Sequence, residues 1–250
     1  MTSKKKYKTE KPLHSALFNI LFPVLILKNG NKWLDKYLGD TESFQKWTDY
    51  LDYPSLVFAI SLVFPLAYFI YDFISRKNIN VISILGFINI LLTGGIGIFG
   101  SKFGLTKNWF ILKEGLLPLL IGFLLFLMSI FKKESFHNIF LNELMFQTDK
   151  IKNAIGDNLK SEFDRVLQVT GYYFICGFII SSIIQFFLAS IIVVSNPGDP
   201  SFNAEVSTMT WVSYIAVLLP TMIILAKGFM GLISGIEKLT GMKKEEFLNT

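Results

Sequence analysis

Six long apolar blocks, separated by short polar stretches, make up most of this 250-residue chain. They run Ser15 to Leu27, Pro54 to Phe73, Val81 to Gly100, Trp109 to Phe131, Leu167 to Ser195 and Trp211 to Ser234, each bounded by charged or turn-forming residues. A helix rising about 1.5 Å per residue needs about 20 apolar residues to cross about 30 Å of hydrocarbon. Five blocks reach that length and the first falls short. The pattern predicts an all-α fold, a polytopic membrane helix bundle of about six transmembrane helices near 15–30, 54–73, 81–100, 109–131, 167–195 and 211–235. Around these it places a basic N-terminus over 1–14, an interfacial segment over 31–53, an amphipathic segment over 132–166 and a tail over 236–250.

Two polar segments carry patterns of their own. Residues 31–53 hold Trp33, Tyr37, Phe44, Trp47, Tyr50 and Tyr53, with Phe44, Trp47 and Leu51 on one helical face behind the capping residues Asp40 and Thr41. Such a stretch suits an aromatic belt at the membrane boundary, with a lid over an extracytoplasmic pocket as the sharper alternative. In 132–166, Ile151, Ile155, Leu159 and Phe163 recur every four residues, continuing to Leu167, among Lys150, Lys152, Asp157, Lys160, Glu162 and Asp164. The spacing predicts an amphipathic helix leading into the fifth block, packed on the bundle or offered to a protein partner.

Charge then orients the blocks. With all six spanning and both ends in the cytoplasm, sixteen lysines and arginines face the cytoplasm, including Lys4, Lys5, Lys6, Lys8 and Lys11, against six on the other side. A non-spanning first block gives eleven on each side, so the positive-inside rule selects six spans with cytoplasmic termini. The basic cluster and short apolar run also resemble a signal peptide, but Lys28-Asn-Gly-Asn-Lys-Trp lacks a small-residue cleavage site, which favours an uncleaved first span.

Composition agrees: 52% of residues are hydrophobic and 17% charged, with a mean hydropathy of +0.48, outside the range of ordinary soluble domains. The single Cys176 lies in an apolar block and excludes an intrachain disulfide. His14 and His137 are far apart, so no metal and no cofactor is expected. The net charge of +5 is explained by lysines beside membrane blocks, so nucleic acid is not an expected partner, whereas the lipid bilayer is.

Ionisable groups inside apolar blocks are the candidates for function, because hydrocarbon penalises them. Lys113 and Glu114 lie about one turn into the fourth block. As neighbours they leave the helix about 100° apart, so each is expected to need a partner from another helix or a hydrated cavity, or else to reach outward to the interface. Lys227 in the sixth block either snorkels or pairs internally. Asp72 and Arg76 stand in the favourable i, i+4 order beside Lys77, as a cytoplasmic anchor or a headgroup contact. Asn89 and Gln185 can hydrogen-bond between helices. Gly94, Gly95, Gly97 and Gly100 permit close helix approach, Gly231 and Gly235 form a small-xxx-small spacing, and Pro23, Pro65, Pro118 and Pro220 interrupt four blocks. The candidate polar cluster is therefore Lys113, Glu114, Gly94, Gly95, Asn89 and Lys227. No catalytic constellation is present.

The stretch from Ile74-Ser-Arg-Lys through Leu92-Thr-Gly-Gly-Ile-Gly-Ile-Phe, then Trp109-Phe-Ile-Leu-Lys-Glu and on to Phe131-Lys-Lys, resembles the bacterial intracellular septation protein A family. It is also similar to a related group of uncharacterised bacterial multi-pass proteins. The resemblance covers about residues 60–135, with a weaker echo in the second half, and the 136–165 segment is longer than the family's. It implies an inner-membrane protein tied to envelope integrity or division, acting through membrane protein partners or as a homo-oligomer. Arg76, Lys77, Gly94, Gly95 and Lys113 are the positions that match. A small secondary transporter and, third, a membrane-embedded lipid-modifying enzyme are the competing expectations.

Overall fold

The computed structural model describes residue 14 and residues 17–38, 51–76, 81–141 and 145–249. All the regular structure among them is helical, and the one departure is an isolated antiparallel bridge between Phe146 and Leu248. After a π-helical turn, Leu17–Leu21, come α1 (Phe22–Leu38), α2 (Tyr53–Arg76), α3 (Val81–Phe99), α4 (Lys107–Phe131), α5 (Lys133–Phe140), α6 (Thr148–Ile155), α7 (Lys160–Ile192), α8 (Phe202–Ala216), α9 (Leu218–Thr240) and α10 (Lys244–Phe247). Four helical stretches are long and apolar enough to cross a membrane: Tyr53–Ile74, Lys107–Phe131, Lys160–Ile192 and the run Phe202–Thr240. The protein is thus a helical membrane protein.

The chain forms two compact units, Met1–Glu114 with Phe186–Tyr214, and Gly115–Gln185 with Ile215–Thr250. In the first, Leu27, Phe58, Ile96, Phe110, Ile111, Val193, Phe202, Val206 and Met209 form the core. Phe202 stacks on Phe58 at 6.2 Å between ring centres and meets Phe110 edge-on at 5.7 Å. Helix α2 lies close to α3 because Gly97 presents only hydrogen to the Phe58 ring, and a Cβ there would stand 2.5 Å from it. At the start of α2, Asp52 accepts the amide of Ser55 at 2.8 Å and so caps the helix.

The second unit has its core in Phe136, Phe140, Phe146, Ile151, Ile155, Phe163, Leu167, Leu232, Ile236 and Phe247. The four-residue stripe Ile151, Ile155, Leu159, Phe163, Leu167 does turn inward, with Leu159 partly buried and the rest buried. It is not one helix, however. Gly156 ends α6 at φ 56°, a left-handed conformation open to glycine, and α7 restarts at Lys160. Gly228 and Gly235 bring α9 against Tyr173 and Val166 of α7, whereas Gly231 has nothing within 4 Å, so the expected Gly231–Gly235 pair is only half used.

Three further boundaries differ from the sequence pattern. Helix α1 carries on through Asn31 to Leu38, so the first part of the expected interfacial segment is a continuation of the first block; Asp40, Thr41, Phe44, Trp47 and Tyr50 lie outside the described residues. The connection after the fifth block is shorter than expected, because Phe202, Val206 and Met209 are buried and pull 202–210 into helix. Pro220 does not interrupt a helix but stands in the first turn of α9. It has no N–H to give to the carbonyl of Ala216, and α8 ends at that residue.

Candidate functional site

Helix α4 begins at Lys107, whose amide donates to Asn196 Oδ1 at 3.0 Å, and two turns later it buries a cation. The Lys113 side chain is 5% exposed. Its Nζ donates to Thr93 Oγ1 at 2.7 Å and to Asn89 Oδ1 at 3.1 Å, and it pairs with Glu114 Oε1 at 2.6 Å. Phe110, three residues back on α4, places its ring centre 4.9 Å from the same nitrogen. An ammonium has three N–H donors, so all three are matched, and the ring face adds an electrostatic contact.

The acceptors on α3 are prepared locally. Asn89 and Thr93 are one turn apart and share a face. The Thr93 hydroxyl donates to the Asn89 carbonyl at 2.7 Å, which turns its lone pairs toward Lys113. The arrangement therefore cross-links α3 to α4 through a closed set of polar groups within the first unit.

The expectation that Lys113 and Glu114 cannot satisfy each other is corrected by their 2.6 Å contact. Their Cα–Cβ bonds diverge, but a lysine stem of four methylenes can curl back along the helix, and the 100° between backbone directions does not bind the charged ends. Lys113, Glu114 and Asn89 are brought together as a cluster. Thr93 and Phe110 join them without having been singled out, although a hydroxyl four residues after Asn89 was a legible signal. Gly94 is buried against Leu62 of α2, and Gly95 has nothing within 4 Å. Lys227 belongs to the second unit, where it is exposed and makes no hydrogen bond or ion pair with a described residue. Asp72 is partly buried on α2; Lys77 and the side chain of Arg76 lie outside the description. Gln185 is half-buried and Cys176 exposed.

A second polar chain, missed in the sequence, lies in the second unit. His137 Nδ1 is 3.2 Å from Asp164 Oδ1, and Gln168 Nε2 donates to the Tyr172 hydroxyl at 3.0 Å. It joins α5 to one face of α7, since 164, 168 and 172 are spaced by single turns. Among the described residues no three His, Cys, Asp or Glu side chains are grouped as metal ligands would be.

The C-terminal segment, expected as a plain tail, is folded against the second unit. Phe247 is fully buried, 6.4 Å from Phe146 between ring centres, and Gln147 donates to the Phe247 carbonyl at 2.8 Å while Asn249 donates to that of Met145 at 2.9 Å. A lone phenylalanine among lysines and glutamates gives no periodic signal, so only the folded contact reveals its role. Comparison with family models, with curated proteins and with solved structures finds no match for this chain.

Proposed function

We propose that this chain is a non-enzymatic integral membrane protein that acts through contacts with other membrane proteins, in maintenance or division of a bacterial cell envelope. In this proposal it crosses the inner membrane six times with both termini in the cytoplasm. The first and third blocks, as α1 and α3, complete the four longer helical stretches, and the lysine and arginine distribution sets the orientation. The observation that carries the proposal is the closure of the Lys113 cluster. Its three donors end on Asn89, Thr93 and Glu114, leaving none for a substrate and holding two helices together instead.

Photo-crosslinking residues introduced at Ile183 and Phe187, both more than half exposed on α7, test it in intact membranes. Capture of defined membrane proteins, or of a second copy of the chain, is the expected result, and a clean blank at both positions overturns the proposal. A small secondary transporter is favoured by one observation, the buried Lys113–Glu114 charge pair inside a candidate span. Solute uptake into proteoliposomes that disappears in Lys113→Met would install that second reading in place of the first.

A further inference from the structure

Where α1 leaves its apolar run, the first unit carries an open cleft of about 390 Å³, lined by Asn31, Lys32, Asp35, Tyr53, Pro54 and Pro200. The volume falls in the range of about 300–1,000 Å³ typical of small-molecule sites. Its depth in the membrane follows from the helix that builds it. The apolar run ends at Leu27, Lys28 begins the polar half, and Trp33 and Tyr37 stand 46% and 68% exposed on either side of Asp35. Exposed aromatics at the end of an apolar run mark the headgroup level of the bilayer.

The chemistry of the lining is two-signed. Lys32 and Asp35 are exposed and one helical turn apart, yet neither pairs with the other or with any described residue. With lysine first and the acid second, they stand in the less favourable order along a helix. Asn31 forms one wall of the cleft. Its Nδ2 donates to the Pro200 carbonyl at 3.2 Å, which fixes the amide, and its Oδ1 is enclosed without any donor.

We propose that this cleft binds a phosphoethanolamine group, with Lys32 pairing the phosphate and Asp35 receiving the primary ammonium. A choline group has no N–H to offer the Asp35 carboxylate, and a phosphoglycerol group brings no cation to neutralise it. The proposal is independent of the scaffold function, since it rests on α1, α2 and the loop at Pro200 and not on the Lys113 cluster.

The full chain in maltoside micelles is titrated with dihexanoyl phosphatidylethanolamine, with its phosphatidylcholine counterpart, and with free O-phosphoethanolamine and phosphocholine, binding being read by native mass spectrometry. The ethanolamine form is expected to bind about tenfold more tightly than the choline form, the scale of one charge-assisted hydrogen bond. Asp35→Asn removes that preference, and Lys32→Gln weakens both forms while keeping it. Both side chains are exposed, so the variants fold, and their thermal melts check this. Binding of the lipid alone assigns the cleft to bilayer headgroups, and equal binding of free phosphoethanolamine assigns it to the soluble group. Equal affinity for ethanolamine and choline forms in the unaltered chain, or a preference that survives Asp35→Asn, overturns the proposal.

Discussion

Replacing Lys113 by methionine keeps most of the apolar stem and removes only the ammonium, which makes it a clean probe of the α3–α4 cross-link. Removing one partner of a buried ion pair costs about 3–5 kcal/mol, because the other charge is left without compensation. The Glu114 side chain is 19% exposed, so it regains some hydration and the cost falls below that range. The two contacts to Asn89 and Thr93 add little, since interhelical hydrogen bonds in membranes average about 0.6 kcal/mol. About 2–3 kcal/mol is the expected loss for Lys113→Met. Lys113→Met with Glu114→Gln removes the stranded charge as well, and the double variant should return to within about 1 kcal/mol of the original chain. Equilibrium unfolding in mixed micelles, with increasing sodium dodecyl sulfate, measures both. A loss below about 0.5 kcal/mol for the single variant refutes the reasoning, and so does a double variant no more stable than the single one.

Gly97→Leu forces a side chain into the Phe58 ring and should cost about 1–3 kcal/mol, while Gly95→Ala, at a position with nothing within 4 Å, should leave the melting temperature of the detergent-solubilised protein nearly unchanged. Equal effects at the two positions would remove the packing argument for α2 and α3. Phe247→Ala empties the pocket beside Phe146, and trypsin should then cut at Lys243 and Lys244 about tenfold faster or more, because the docked segment is released. An unchanged cleavage rate would show that the backbone bonds at Gln147 and Asn249 hold the segment without it.

Lys113 was legible because a charge within an apolar block contradicts its surroundings, and nothing more than the sequence is needed to see that. Asn89 stood in the same candidate cluster, but which side chains the ammonium reaches was not legible. Asn89 is twenty-four residues away and Thr93 twenty, and only the packing of α3 on α4 puts them within reach. The Glu114 contact departs from the helical geometry of its backbone for a different reason. Helical direction fixes where a Cβ points, but it does not fix the end of a long flexible chain. The stripe from Ile151 to Leu167 is legible as an amphipathic face, and the structure turns it inward rather than leaving it open to a partner. The break at Gly156 inside it is not legible, because an isolated glycine is compatible with either a helix or its end.

What the sequence determined by itself is what local chemistry dictates. Blocks too apolar for water must lie in lipid or in a core, backbone groups in lipid must be paired within helices, and the charges that remain must mark boundaries or sites. Tertiary structure decided which charges meet and which stay open. Lys113 is closed off by α3 and Glu114, Lys32 and Asp35 remain free beside a cleft, and Phe247 becomes core at the end of a charged segment. These outcomes depend on residues far apart in the chain, and pairing across such distances is settled by packing between helices, which no periodicity within one helix encodes.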